Sequence, residues 1–366
     1  MPQPLSDSQY AWLQLASVAK VKPGDWLRAR ESHRHDDIPL SAPDFSVLKS
    51  TFNESNTLTI RTAWVERAID WLQADEQHFL ICIDDDAYPD ALRALTHPPL
   101  ILFVRGNTGR LVEPQVAIVG SRRASHYGKE VASMLADALC QAGLAITSGL
   151  AAGIDAAAHR GSLSSGRAIA VTGTGPDTVY PRQHIQLADD IVRCGGAVVS
   201  EFFPGTGPRP FHFPRRNRII AGMTSGTVVV EAGFKSGTLI TANLAADLGK
   251  EVFAVPGSIT HAQSEGCHAL IRQGATLVTC ARDICDELGM VVNRQEEQSS
   301  SAEKRRANCL ATDKLLASVD CSVTAIDVIA QRNALPVSAV MAALLEYELR
   351  GLVTAVPGGY VRLRGK

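Results

Sequence analysis

The sequence lacks three features that would each point to a familiar class of protein: an excess of one charge, a long apolar run and paired cysteines. Its 36 Lys and Arg are balanced by 38 Asp and Glu, so any nucleic-acid site must be a local patch. No apolar run approaches the roughly 18 residues of a membrane-spanning helix. The first ten residues, MPQPLSDSQY, do not resemble a signal peptide. We therefore expect a soluble, cytoplasmic protein with no membrane contact.

Metal and nucleotide signatures are missing as well. None of the eight cysteines forms a CxxC pair, so we predict reduced thiols and neither a metal site nor a disulfide framework. There is no GxxxxGK[ST], and GTGPDT and GSRRAS both lack glycines of GxGxxG. A mononucleotide or NAD site is therefore unsupported, and we predict no cofactor.

The middle of the chain alternates strand-like and helix-like segments. Short Val/Ile/Ala runs such as VAIVG, AIAVTG and TVVVEA each stand next to an amphipathic or small-residue helix. This alternation is typical of a parallel sheet covered on both faces, so residues 76–290 are predicted to form an extended Rossmann-like α/β domain. Within it, residues 76–115 are interpreted as a connecting layer with two strand-like runs, FLICI and LILFVRG.

Smaller parts are predicted on either side of this domain. Residues 1–75 suggest a small helical domain of the SAM or helix-hairpin kind, with Trp64, Ala68, Trp71 and Leu72 on one helical face. Residues 291–308 are polar, charged and Ser-rich, which is typical of a linker. Residues 309–366 suggest three helices and a hairpin turning at PGG, the pattern of a winged helix.

Four loops at the predicted carboxyl ends of strands share a chemistry suited to phosphate. They combine glycine with Ser or Thr, and Arg122, Arg123 and Lys235 add charge. In an open parallel sheet such loops meet at one edge, although any single one is more often only a turn. The loops are GSRRAS (120–125), SGLAAG (148–153), GTG (173–175) and FKSGT (234–238).

The stretch FHFPRRNRII (211–220) is interpreted as a loop beside these four. Its arginines could contact phosphates and its phenylalanines could stack on bases, which together suit a single-stranded nucleic acid. Because Phe213 precedes a proline, its backbone is expected to be extended. The alternative is that Phe213 packs while arginines pair with Glu201 and Glu231, and we expect this of at least one arginine.

Candidates for catalysis are few. Asp155 and His159 lie one helical turn apart, and a helix-stabilising pair is a better interpretation than a metal or acid–base pair. We find no nucleophile elbow and no convincing Ser/His/Asp set.

At this point the chain resembles a known family, the bacterial DNA-processing protein A family (DprA, also called Smf). The resemblance spans the Rossmann-like domain in order, with a similar lead-in at 88–107 and a similar winged helix at the C-terminus. The matching blocks are VAIVGSRRASHYG, ITSGLAAGIDAAAH, AVTGTGPDTVYP, SEFFPGTGP, FPRRNRIIAG, VVVEAGFKSGTLITANLA, EVFAVPGS and GCHALIRQGA.

The resemblance implies a binding protein and not an enzyme. Such proteins bind single-stranded DNA without marked sequence preference, help load the RecA recombinase, protect incoming DNA during natural transformation, and form homodimers through the Rossmann-like domain. The implied DNA-contacting residues are Ser121, Arg122, Phe213, Arg216, Asn217, Arg218, Lys235, Ser236 and Gly237.

Two departures and two rivals qualify this expectation. The N-terminal turn is VKPG without a GxG, and the predicted recognition helix 337–350 carries one cation, Arg350, so we expect the winged helix to bind protein, or DNA only weakly.

The main rival is a lysine-decarboxylase-like nucleoside monophosphate phosphoribohydrolase. Where its motif PGGxGTxxE ends in glutamate, this chain has Ile240-Thr241. The second rival is a nucleotide-sensing winged-helix transcription regulator.

Overall fold

The chain forms two compact units, Met1–Met290 and Val291–Lys366, each of which is described by itself. A computed structural model describes residues 5–18, 59–234, 236–290, 314–320 and 323–363. The VKPG turn, the predicted linker 291–308 and Lys235 lie outside the described residues.

The first unit contains a sheet of nine strands. The strands are β1 (His78–Cys82), β2 (Ile101–Gly106), β3 (Gln115–Val119), β4 (Ala145–Ser148), β5 (Ala168–Val171), β6 (Ala197–Ser200), β7 (Gly226–Val229), β8 (Glu251–Ala254) and β9 (Thr276–Leu277). Every residue of β3 to β7 is buried, which explains why these strands are continuous apolar runs.

Helices precede and connect these strands. In chain order they are α1 (Asp7–Ser17), α2 (Thr62–Ala74), α3 (Asp90–Arg93), α4 (His126–Gln141), α5 (Ile154–Ser162), α6 (Ile185–Arg193), α7 (His212–Met223), α8 (Thr238–Asp247), α9 (Glu265–Arg272) and α10 (Ala281–Glu287). The predicted α/β class with a mostly parallel, Rossmann-like sheet is confirmed.

The strand order is β1-β2-β6-β5-β4-β3-β7-β8-β9. From β3 the chain adds β4, β5 and β6 on one side, and then returns to add β7, β8 and β9 on the other. The order therefore reverses between β3 and β7, and the carboxyl ends of these two strands border the crevice where ligands of open α/β sheets bind.

The predicted connecting layer is corrected by this sheet. Strands β1 and β2 pair antiparallel with each other, and β2 pairs antiparallel with β6, so residues 76–115 extend the same sheet. For example, Val104 lies opposite Val199. The two runs were correctly identified as strands, but a single sequence does not show which sheet a strand joins.

Helices α1 and α2 pack in the same core as β1 and β2. The predicted apolar face of α2 is confirmed, because Ala68, Trp71 and Leu72 are buried and Trp64 contacts Phe203 with ring centroids 5.4 Å apart. Ser6, the residue before α1, caps this helix with a capping box, in which its hydroxyl accepts a hydrogen bond from Gln9 N.

Within its described residues, the second unit has three helices and a hairpin, as predicted. They are α11 (Lys314–Ala317), α12 (Ile326–Asn333), α13 (Val337–Leu349), β10 (Val353–Val356) and β11 (Gly359–Arg362), packed around a small apolar core.

Helix α13 differs from expectation on its outer face. From the sequence only its one cation was considered, whereas the helix exposes an apolar row at four-residue spacing: Val337, Met341, Leu345 and Leu349. Arg350, just after the helix, pairs with Glu346 at 2.8 Å. Over the described residues no single helix is long and apolar enough to span a membrane; α12 and α13, bent by 108°, meet that length and composition test only as a pair.

Candidate nucleic-acid interface

A cleft of about 720 Å³ lies at the reversal of strand order. Its walls come from the loop after β3, the β5–α6 loop, and the first turns of α7 and α8. Seven of the nine residues predicted to contact DNA line it: Ser121, Arg122, Phe213, Arg216, Asn217, Ser236 and Gly237. Arg218 is not among the lining residues, and Lys235 lies outside the described part of the chain.

The loop after β3 is held by hydrogen bonds to its backbone. Ser121 N donates to Glu231 O at 2.6 Å, and Thr238 Oγ1 donates to Gly120 O at 2.9 Å, which ties the loop to β7 and α8. A Cβ on Gly120 would lie 2.4 Å from Ile154 Cγ1, so glycine is required for α5 to approach the strand end. This fixed loop presents the exposed side chain of Arg122 to the cleft.

The stretch 211–220 is not a loop, and this prediction is wrong. Residues from His212 onward form α7, and Pro214 falls in its first turn, where no backbone N–H is needed for the helix ladder. Phe213 is therefore helical, not extended, because the restriction imposed by a following proline is a bias that tertiary context overrides. Helical spacing then sorts the side chains: Phe213, Arg216 and Asn217 face the cleft.

Arg216 lies at the buried base of the cleft, with only 4% of its surface exposed. Its Nη1 donates to Val171 O at 2.8 Å, and a Cβ on Gly149 would lie 1.7 Å from that nitrogen. Burial lowers the pKa of the Arg216 guanidinium to about 10, while neighbouring Asp155 acts in the opposite direction. Glycine at 149 thus makes room for a cation between the ends of β4 and β5.

Asp155 does not form the predicted pair with His159. Its Oδ2 accepts from Gly149 N at 3.1 Å and from Ala151 N at 3.3 Å, so it caps the loop after β4. Neither ring nitrogen of His159 hydrogen-bonds to it. Burial, followed by the charge of Arg216, lowers the pKa of the His159 imidazole to about 3. Asp155 therefore stabilises the loop after β4 at the wall of the cleft, and His159 is buried in the fold.

Arg215 and Arg218 extend from the other face of α7 and share one buried carboxylate. Arg215 Nε donates to Glu201 Oε1 at 2.9 Å, and Arg218 Nη2 pairs with Glu201 Oε2. Arg218 Nη1 also donates to His97 O at 2.5 Å. The alternative left open by the sequence, pairing with Glu201, thus holds for these two arginines. Arg218 is placed away from the cleft, so phosphate contact by this residue finds no support in the geometry.

Glu231 has a different partner from the one considered in the sequence. Its carboxylate accepts from Ser125 N at 2.9 Å and from Ser125 Oγ at 2.6 Å, at the start of α4. A Cβ on Gly128 would lie 2.5 Å from its Cδ, so the first turn of α4 sits directly on this carboxylate. Glu231 thus caps a helix and is not among the lining residues of the cleft.

The electrostatics of the cleft favour an anion. Arg122, Arg123 and Arg209 line it with exposed side chains, and the carboxylate among the described lining residues, Asp155, is buried against backbone N–H groups. Helices α7 and α8 also begin at its wall, where N-terminal turns carry partial positive charge. Within the described ranges, no group of three or more His, Cys, Asp or Glu side chains could hold a metal ion.

Among the lining residues that sequence reasoning missed are one aromatic and one basic residue, Tyr180 and Arg209. Tyr180 belongs to TVYP, after β5, and its ring centroid is 5.6 Å from that of Phe213. Arg209 lies between two prolines just before α7. The interleaving of basic and aromatic residues could have been extended to include both, but nothing in the sequence showed that their segments reach the same crevice.

Comparison with known proteins gives consistent matches over both units. A family model described as DNA recombination-mediator protein A matches residues 79–289, and a DprA winged helix domain matches residues 306–359. Protein Smf of Escherichia coli (strain K12) is 41% identical over 362 residues, covering 96% of this chain and 95% of that protein. DNA processing protein DprA of Streptococcus pneumoniae is 47% identical over 204 residues, covering 56% of this chain and 72% of that protein.

Solved structures agree. The X-ray structure of DNA processing protein A from Streptococcus pneumoniae superimposes with a TM-score of 0.65 and 35% identity, covering 79% of this chain and 100% of that one. A structure of DNA processing protein A from Helicobacter pylori, described in terms of its single-stranded DNA binding mode, has a TM-score of 0.52 and 27% identity, covering 57% of this chain and 95% of that one.

Proposed function

The chain belongs to the DNA recombination-mediator protein A family, and from this premise we propose that it binds single-stranded DNA, without sequence preference, in the cleft between β3 and β7. The observation that carries the proposal is the convergence of exposed arginines and aromatic rings on that cleft. The Helicobacter pylori relative, whose described property is single-stranded DNA binding, supports the same ligand.

The chemistry of the cleft suits a single strand better than a duplex. Arginines can contact phosphates of any sequence, and aromatic rings stack on any base, but only if the base faces are unpaired. Phe213, Tyr180 and the exposed arginines supply both kinds of contact. Sequence-independent binding with a preference for single strands follows from this combination.

The wider role that we propose is protection of incoming DNA and loading of the RecA recombinase during natural transformation. Its support is membership of the family and the resemblance to relatives named for DNA processing. A cytoplasmic location is part of the same proposal, because RecA and newly imported strands would be met there.

We also propose a homodimer through the Rossmann-like domain. The β9 edge of the sheet is bordered by exposed Phe234 and Leu277, which line one shallow apolar surface. Open sheet edges and apolar surfaces of this kind are commonly covered by a partner. Light scattering on the purified protein tests this part independently of DNA binding.

We propose that the protein is not an enzyme. In the rival phosphoribohydrolase, an acid beside the cleft would have to act on a nucleoside monophosphate. Here Glu231 faces Ser125 and Asp155 faces backbone N–H groups. Incubation with nucleoside monophosphates should yield no free base; release that disappears in Glu231→Gln would favour the rival.

Fluorescence anisotropy with labelled oligonucleotides tests the central proposal. We expect the protein to bind single strands of unrelated sequence with similar affinity and to bind the matched duplexes at least tenfold more weakly, an order-of-magnitude expectation from loss of base stacking. Equal binding of both forms, or binding of one sequence alone, would contradict it.

A further inference from the structure

We propose that Tyr180 is the ring on which a base of the bound strand stacks, and that Phe213 holds that ring in place. This inference rests on the proposed single-stranded DNA binding and identifies the residue that would distinguish bases from backbone. The sequence predicted that Phe213 stacks on a base. The contacts of the two rings instead favour Tyr180 as the stacking ring and Phe213 as its support.

The Phe213 ring is partly covered by three neighbours. Arg122 Cζ lies 5.5 Å from its centroid, in the position of a cation–π contact. On the backbone of Gly173, a Cβ would lie 3.1 Å from Phe213 Cδ1, so the ring packs closely on that glycine. Tyr180 contacts it as well, at 5.6 Å between centroids. The Phe213 ring is therefore less accessible to a base than the Tyr180 ring.

The Tyr180 ring is more exposed than the Phe213 ring. It lines the same cleft and is 45% exposed, whereas Phe213 is half-buried. Its plane is inclined by 47° to that of Phe213, so the two rings meet at an angle and do not cover each other as a parallel stack would. A flat, exposed ring beside arginines that suit phosphates is the arrangement on which unpaired bases stack.

Phe213 therefore contacts both Arg122, on the loop after β3, and Tyr180, on the loop after β5. A base that stacks on Tyr180 would extend this group of contacts. The phosphates on either side of that base would then lie near the cleft wall that carries the exposed arginines. Tyr180 would contribute through its ring, and its hydroxyl would contribute little.

The test combines substitution of Tyr180 with removal of bases from the DNA. Affinity is measured for a thymidine oligonucleotide and for a strand of the same length and charge made of abasic sites. We expect Tyr180→Ala to weaken binding of the thymidine strand about 5- to 150-fold, from a stacking contribution of about 1–3 kcal/mol, and binding of the abasic strand less than about twofold. Tyr180→Phe should bind both strands like the unsubstituted protein.

Two further variants separate stacking from packing. Tyr180→Leu keeps apolar bulk against Phe213 but has no flat face, so it should bind the thymidine strand as weakly as Tyr180→Ala. Tyr10→Ala is the matched control, because Tyr10 is 43% exposed but lies on α1. It should leave both affinities unchanged.

Several outcomes would overturn the inference. They are an equal loss on thymidine and abasic strands, full binding by Tyr180→Leu, or a loss in Tyr10→Ala as large as that in Tyr180→Ala. If the unsubstituted protein binds neither strand, the proposed function itself fails. If it binds the thymidine strand and Tyr180→Ala binds equally well, only the role of Tyr180 fails.

Discussion

Replacing Arg122 by alanine should make DNA binding less sensitive to salt. Arg122, Arg123 and Arg209 line the cleft with exposed side chains, whereas Arg216 is buried and engaged with Val171 O. If each exposed arginine neutralises one phosphate, the slope of log affinity against log salt is about −0.7 per contact, or about −2 for three. Losing Arg122 should reduce the slope to about −1.4.

The change is large enough to measure. Between about 50 and about 200 mM salt, a slope of about −2.1 weakens binding about 18-fold, and a slope of about −1.4 weakens it about 7-fold. Anisotropy titrations at four or five salt concentrations give both slopes. Because the Arg122 side chain is exposed, its removal should leave thermal unfolding nearly unchanged.

Arg193→Ala is the matched control. Its side chain is 72% exposed and pairs with Asp190 on α6, away from the cleft, so the same change of net charge should leave the slope at its original value. An unchanged slope in folded Arg122→Ala, or an equal change in Arg193→Ala, would refute the assignment of Arg122 to a phosphate.

Arg218→Ala gives the contrasting result. From the sequence this residue was expected to contact phosphate, but its guanidinium is engaged with Glu201 and His97 O. The slope should therefore stay the same, while loss of hydrogen bonds to a charged group lowers the free energy of unfolding by about 1.5–3 kcal/mol. A shallower slope of log affinity against log salt, with unaltered stability, would show that Arg218 contacts a phosphate of the DNA.

Three further predictions concern the support of the cleft. Glu201→Gln should lower the free energy of unfolding by about 3 kcal/mol, since it leaves buried arginine charge without its partner; urea unfolding measures it, and a loss below about 1 kcal/mol would contradict the pairing. Gly149→Ala should cost at least about 2 kcal/mol, because its Cβ would overlap Arg216, whereas Gly207→Ala, with open space around it, should cost little in the same assay. The lowered pKa of His159 means that its contribution to stability is present above pH 6.5 and is lost as the pH falls toward about 3. His159→Gln should therefore flatten acid unfolding in that window by up to about 1.4 kcal/mol per pH unit, and an unchanged slope would refute it.

Much of the site could be predicted from the sequence because its ingredients are local. Glycine-rich turns after Val/Ile strands indicate where backbone can approach a ligand, and the topology of a parallel sheet gathers such turns at one edge. Loops carrying Ser121, Arg122, Ser236 and Gly237 do meet at the cleft. The strand pattern likewise gave the α/β class, although the sheet that β1 and β2 join was not evident.

What failed was the assignment of side chains within FHFPRRNRII. The composition indicated that the arginines bind anions, but not which anion each one binds. In the helix, Arg216 lies on the face of the cleft together with Phe213, whereas Arg215 and Arg218 lie on the other face and pair with Glu201. The helix that begins at His212 was not predicted, because a proline usually disfavours helical backbone at the residue before it. Here Pro214 lies in the first turn of the helix, where proline is tolerated.

The sequence by itself determined the family, most of the strands and helices other than α7, and the anionic character of the ligand, because these follow from local patterns of apolar, small and basic residues. Only the tertiary structure decided which cations are available to a ligand. Burial between β4 and β5 encloses Arg216, and Glu201 pairs with Arg218, whereas the side chain of Arg122 is exposed and lines the cleft. It also brought Tyr180 to Phe213, over a separation of 33 positions in the chain, which no local pattern encodes.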